Sequence, residues 1–367
     1  MKNLIQYSSL PKFMGVLQRN SLSPIAPGIL SFLVLLFMGC EKIEYGPEET
    51  RQFGSEMAIV QEISFPSNGF TIVGDLRTPT EGDHHPVILM IHGSGGATRN
   101  GAVPFVPMIE IFLRNGYAVL SWDKPGSGSS EGEFDQEHKL TENAQIIVDA
   151  IDVLAENPSI DLAKVGLWGI SQAGWIMPLA LDMSDKITFM IVVSGGGEDG
   201  IEQGAYQVAQ MIACDGGSEE DVSTVEHYWA IMNKAVSYEE YSTAAQIVLD
   251  IPGVYEKTGL IMSDKGQWAP WPRDIDAFFD PVEVLQRTTI PVLAFFGELD
   301  KNIDPVQGAQ AYKSALESAG NQDYMVQTIE GAGHVMVEVE TGCLGEFVGK
   351  EYMSEYLETL EFWLMDR

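Results

Sequence analysis

Gly169-Ile170-Ser171-Gln172-Ala173-Gly174 has the residue types and spacing for nucleophilic chemistry. It follows an apolar run at 165–168 that reads as a buried strand, and precedes 175–181, which reads as the start of a helix. A serine between small residues on a sharp strand-to-helix turn is a nucleophile elbow. The turn forces the serine into strained backbone angles and lifts its Oγ clear of the sheet. Small residues two positions either side let strand and helix pack closely. The next N–H, that of Gln172, faces the helix N-terminus, where it can stabilise an oxyanion. Ala173 stands where glycine is usual, with Gly174 behind it; alanine is still small, so the departure is tolerated.

A serine hydroxyl needs a base, and the base an orienting carboxylate. Of the six histidines, His84 and His85 read as loop residues before a strand, His138 lies among charged residues, and His227 lies in a helical stretch. His334, in Gly331-Ala332-Gly333-His334, falls in a loop after the last expected strand, where catalytic residues of α/β sheets collect. It is the expected base. Asp300, in Gly297-Glu298-Leu299-Asp300, is the expected acid, with Glu298 and Asp304 as rivals. The order Ser171, Asp300, His334 is the serine–acid–histidine order of one hydrolase fold. A second oxyanion donor is expected from Ile91-His92-Gly93-Ser94-Gly95-Gly96: the N–H of Ser94, or else of Gly95, with His92 structural. The Gly-rich loop after Asp123 lacks the spacing and Gly-Lys-Ser/Thr ending of a nucleotide-binding loop.

These residues need a scaffold. Segments 57–65 and 70–77 read as an antiparallel hairpin. Strands are expected at 87–91, 117–122, 165–168, 188–193, 291–296 and 325–329, with helices at 105–115 and 141–156. Near-continuous apolar strands between helices imply a mostly parallel sheet covered on both faces. The rhythm stops between Ser194 and about Thr289, a largely helical stretch that reads as a cap inserted at about 197–287, or as extra packing helices.

The chain has 367 residues and a formal net charge of -32. Such acidity argues against nucleic-acid or anionic-membrane binding through the protein surface. No cysteine or histidine spacing suits a metal. Residues 1–39 hold Lys2, Lys12 and Arg19, no acidic residue, and end in a short apolar run. That pattern reads as a signal peptide. Cys40 follows Gly39, so this start resembles a bacterial lipoprotein's, with Cys40 as the lipidated residue. An uncleaved anchor helix is the competing reading. Residues 40–56 read as a tether, and 57–367 as the folded domain. The expectation is an exported cell-envelope lipoprotein that meets the membrane only through its lipid. Cys214 and Cys343 remain as a possible disulfide pair, which sequence alone does not establish.

Five motifs in order carry a family resemblance: His92-Gly-x-Gly, Asp123-x-x-Gly-x-Gly-x-Ser, the Ser171 elbow, Gly297-x-x-Asp300 and Gly331-x-Gly-His334. Together they resemble the α/β-hydrolase superfamily, in its bacterial esterase, prolyl-oligopeptidase-like and serine-aminopeptidase-like branches. The resemblance covers roughly 57–367; Pro125 and Ala173 depart from it. It implies an α/β-hydrolase fold and hydrolysis of a small-molecule ester or peptide substrate through an acyl-enzyme, with no metal or organic cofactor required. Ester cleavage is the first reading. A peptidase is the second, because the helical stretch carries Glu202, Asp215, Glu219, Glu220, Asp221 and Glu226, which suit a substrate amine. A non-catalytic ligand-binding lipoprotein is the third. Oligomeric state is not legible.

Overall fold

The structure is a computed structural model and describes residues 57–101, 105–133 and 140–367. The expected signal peptide, Cys40, the tether and His138 lie outside the described residues.

Strands β1 (Ala58–Ser67) and β2 (Phe70–Pro79) pair antiparallel. Their two-residue turn puts Asn68 at φ 51° and Gly69 at φ 84°. Positive φ at both positions matches the right-handed twist of the flanking strands, and Asn-Gly is the pair that adopts it most cheaply. The sheet continues through β3 (His85–Ile91), β4 (Ala118–Trp122), β5 (Ile160–Ile170), β6 (Phe189–Val193), β7 (Val292–Gly297) and β8 (Tyr324–Ile329). The order is β1-β2-β4-β3-β5-β6-β7-β8. β2 meets β4 antiparallel, and every pairing from β4 to β8 is parallel. The carboxyl ends of β3, β5, β7 and β8 therefore share one edge.

Alternate residues of each central strand feed opposite cores, as a pleat requires. Val87, Leu89 and Ile91 join the layer with helices α2 (Leu140–Leu154), α3 (Ala173–Met183) and α9 (Pro305–Ser318). Ile88 and Met90 join the layer with α1 (Val106–Arg114) and α10 (Ser354–Leu364). Both faces are thus covered, which is why these strands read as unbroken apolar runs.

Between β6 and β7 come α4 (Gly200–Cys214), α5 (Glu219–Lys234), α6 (Tyr238–Leu249), α7 (Val254–Thr258) and α8 (Val282–Leu285). Asp199, Ser218 and Ser237 cap the first three with side-chain oxygens on free N–H groups. Helices α4 to α7 bury a core of their own, including Val208, Ile212, Trp229 and Tyr241. A disulfide joins Cys214, the last residue of α4, to Cys343 in the segment after β8, with Cα atoms 5.8 Å apart.

Candidate active site

Ser171 follows the last residue of β5 and has φ 60°. A non-glycine residue in the left-handed region is strained and persists only where surrounding contacts over-determine it. Here they do. The Ser171 N–H donates to the Val193 carbonyl at 2.9 Å, and its carbonyl accepts from Gly174 N–H at 2.8 Å. A side chain at Gly174 would strike the Gly195 Cα at 2.4 Å, and one at Gly169 would strike the Ala173 methyl at 2.5 Å. The close backbone approach that the elbow needs therefore falls on Gly174, and Ala173, fully buried, fills the space over Gly169. This explains physically why alanine is accepted there.

His334 lies in the loop after β8, and its Nδ1 is 2.8 Å from Asp300 Oδ2. The other Asp300 oxygen, Oδ1, accepts from the Asn302 and Ile303 N–H groups at 2.7 and 3.0 Å. Asp300 is 1% exposed. Its carboxylate is thus fully engaged and aimed, which fixes the imidazole's orientation and leaves Nε2 for other partners. The two loops touch so closely that a side chain at Gly297 would strike the Gly333 carbonyl oxygen at 2.3 Å. The rival carboxylates are engaged elsewhere. Glu298 accepts from Gly331 N–H at 2.9 Å, and Asp304 caps α9 through the N–H groups of Val306 and Gln307.

The loop after β3 comes against the elbow: a Cβ at Gly93 would sit 3.3 Å from the Ser171 Cβ. Ser94 follows directly, and Gln172 opens α3. His92 is 4% exposed, bonds the Trp122 carbonyl through Nε2 at 2.7 Å, and stacks on Phe105. Burial pushes its pKa down to about 4, over the opposing Trp122 bond. It is a neutral structural histidine. His85 bonds the Gly116 carbonyl, and His227 lies against the Tyr228 ring.

Behind the β3 loop lies a buried charge network. Asp123 accepts from Arg99 through its backbone N–H, Nε and guanidinium, and from the Ser129 N–H. Asp75 bridges Arg99 and Arg77 at 2.7 and 3.1 Å. Burial opposes these charges, but the hydrogen bonds from Arg99 win and hold the Asp123 pKa below its ordinary value. Gly128 completes the motif for a steric reason, since a Cβ there would meet Asp123 Oδ2 at 2.2 Å. The Asp-x-x-Gly-x-Gly-x-Ser pattern was legible; its partners Arg99 and Asp75 were not, because they come from separate segments with no pattern of their own.

Helix α4 reaches this edge. Tyr206 Oη donates to the Asp300 carbonyl at 2.8 Å, and Gln203 Nε2 to the Asn302 carbonyl at 2.5 Å. Nearby, Glu198 has its pKa pushed up to about 7 by burial, then by Glu202, Asp304 and Asp199. Lys234 bonds Asp199 and Glu202 at 2.8 and 2.5 Å. Among the described residues no cluster of His, Cys, Asp and Glu could hold a metal.

Residues 68–328 match the sequence pattern of the X-Pro dipeptidyl-peptidase (S15) family. The chain belongs to that family. A thiohydrolase of Aspergillus aculeatus is 35% identical over 89 residues, 24% of this chain and 27% of that protein. The matched segment is thus about a quarter of that curated relative, and reaches only 34% and 38% of two others. An esterase of Pyrococcus furiosus superposes with a TM-score of 0.55 at 12% identity, covering 89% of this chain and 98% of its own. The acylaminoacyl peptidase of Pyrococcus horikoshii superposes with a TM-score of 0.50 at 16% identity, covering 87% of this chain and 43% of its own. The sheet topology and these likenesses show the α/β-hydrolase fold. The family's description is that of a peptidase, and these relatives include a thiohydrolase, an esterase and a peptidase.

Proposed function

We propose that this hydrolase works through Ser171, His334 and Asp300 and cleaves carboxylic esters by way of an acyl-enzyme. The observation that carries the reading is the pairing of a positive-φ serine on a strand-to-helix turn with an imidazole bonded to a buried carboxylate at the same sheet edge. In this account Ser171 Oγ attacks the substrate carbonyl carbon while His334 Nε2 takes its proton. Asp300 stabilises the imidazolium without accepting the proton. The N–H groups of Ser94 and Gln172 hold the oxyanion. The C–O bond to the leaving group then breaks, and His334 returns the proton to the departing alcohol. Water, deprotonated by His334, releases the acid. No step calls on a metal or organic cofactor. The helices between β6 and β7 act as a cap on the site, tied to the Asp300 loop through Tyr206 and Gln203.

Cleavage of a peptide or aminoacyl amide is the second reading. The family description favours it, and so does the acidic group of Glu198, Glu202 and Asp304, whose surplus negative charge suits a substrate amine. Hydrolysis rates for p-nitrophenyl esters and aminoacyl or X-Pro anilides, each with a Ser171→Ala control, separate the two. Ester turnover well above anilide turnover supports the first; the reverse supports the second.

We also propose export with a lipid on Cys40. The Cys214–Cys343 disulfide supports an oxidising compartment. Among the described residues no helix is long and apolar enough to cross a membrane. Labelling with a fatty-acid probe tests the anchor: label lost in Cys40→Ala supports it, and label retained, or none in the wild type, contradicts it.

A further inference from the structure

Lys124 follows β4 and is 3% exposed, a rare burial for a lysine. Among the described residues its ammonium donates to the Gly93 carbonyl oxygen at 2.9 Å. Its backbone N–H donates to the Ala97 carbonyl at 2.9 Å, so one residue grips the β3 loop at both ends. The preceding Asp123 holds Arg99, two residues beyond Ala97.

The Gly93 carbonyl and the Ser94 N–H belong to one peptide unit. That unit is planar and trans, so its C=O and N–H point in opposite directions. A donor on the oxygen fixes the plane and hence the direction of the N–H. A charged donor also draws electron density toward the oxygen and strengthens the N–H as a donor on the far side. Lys124 lies on the carbonyl side of that unit, so the N–H faces away from it, and the Gly93 that carries the unit packs on Ser171. We propose that Lys124 is a positioning residue which, through the Gly93 carbonyl, aims and polarises the Ser94 N–H of the oxyanion hole. This rests on the proposed roles of Ser171 and Ser94.

The arrangement has a pH consequence. Burial pushes the Lys124 pKa down to about 8. Among the described residues, the charged and titratable groups around it are Asp123 on its own loop, committed to Arg99; Asp75 behind Arg99; and His92 just after β3, neutral by its own burial. Below about pH 8 the ammonium polarises the peptide; above it the neutral amine does so weakly, and kcat falls. Arginine at this position keeps its charge across the range.

The test measures kcat and KM for p-nitrophenyl acetate from pH 6 to 10 in wild type, Lys124→Met, Lys124→Arg and Ser171→Ala, together with affinity for an alkyl boronate that forms a tetrahedral adduct on serine. Lys124→Met should lower kcat by about 10- to 100-fold, below or at the lower edge of the effect of deleting an oxyanion donor. KM should stay within about twofold, and boronate affinity should fall by the same factor as kcat/KM. The wild-type decline above pH 8 should be absent in Lys124→Arg, which should recover part of the lost rate. If Lys124→Met does not fold, as judged by circular dichroism, the wild-type and Lys124→Arg pH profiles decide alone. Matching alkaline declines in those two, or a folded Lys124→Met with wild-type kcat and boronate affinity, would overturn the proposal while leaving Ser171 intact. Full activity in Ser171→Ala would instead remove the reading beneath it.

Discussion

His334 and Asp300 lie 34 residues apart and meet at 2.8 Å, Nδ1 to Oδ2, at the ends of neighbouring parallel strands. Two backbone N–H groups saturate the other carboxylate oxygen, so the contact has one geometry available to it. An Asn at 300 keeps the shape and loses the charge. It also presents an NH2 group, which reverses the tautomer that the imidazole needs. Steady-state kinetics of Asp300→Asn should show kcat down by about 10⁴-fold with the protein still folded. A loss under tenfold would mean that Asp300 does not orient the base.

The elbow is a matter of backbone contact more than of motif. Gly174→Ala pushes a methyl onto the Gly195 Cα and should destabilise the fold by more than about 2 kcal/mol, the scale of overpacking against groups that cannot move. Ala173→Gly removes only a buried methyl and should cost about 1 kcal/mol from lost burial. Urea titrations of both variants check the order. An equal or reversed cost would contradict the account of why alanine is tolerated at 173.

That pair of positions also shows how far the sequence could be read. Near-continuous apolar strands, the elbow, and the Gly-x-Gly-His and Gly-x-x-Asp loops follow local rules, so the sheet and the places of Ser171, Asp300 and His334 on its loops were legible. Which carboxylate His334 would meet was open among three, because loop geometry and not composition separates Asp300 from Glu298 and Asp304. Helix α9 was missed although Asp304-Pro305 is a plain start signal, the aspartate capping and the proline at the first turn. The Cys214–Cys343 pairing and the Arg99–Asp123–Asp75 network depend on contacts between distant segments, which periodicity does not encode.

The disulfide ties α4 to the segment carrying His334 across a separation of 129 residues. A cross-link closing so long a loop restricts the unfolded chain by about 5 kcal/mol on the chain-entropy estimate, an upper figure. Cys214→Ser with Cys343→Ser should therefore lower Tm by about 5–15 °C. Differential scanning calorimetry in the absence of reductant reads it. An unchanged Tm would mean that the bond adds nothing to stability.

His92 makes stability depend on pH. Its folded pKa, about 4, lies below the ordinary value of 6.5, so between these limits the unfolded chain binds the extra proton. Its contribution is complete above about pH 6.5 and is lost progressively as pH falls to 4, on the order of 3 kcal/mol in all. His92→Gln should therefore lose less stability than wild type between pH 6.5 and 4.5 in urea titrations. Parallel losses would show that His92 does not titrate in this way.

The most direct test of the central claim is active-site labelling with a fluorophosphonate, followed by peptide mass spectrometry and parallel turnover of p-nitrophenyl esters from acetate to laurate. The account predicts one stoichiometric adduct on Ser171, ester turnover abolished in step with labelling, and both lost in Ser171→Ala. Turnover that persists in Ser171→Ala, or an adduct on another residue, would contradict it.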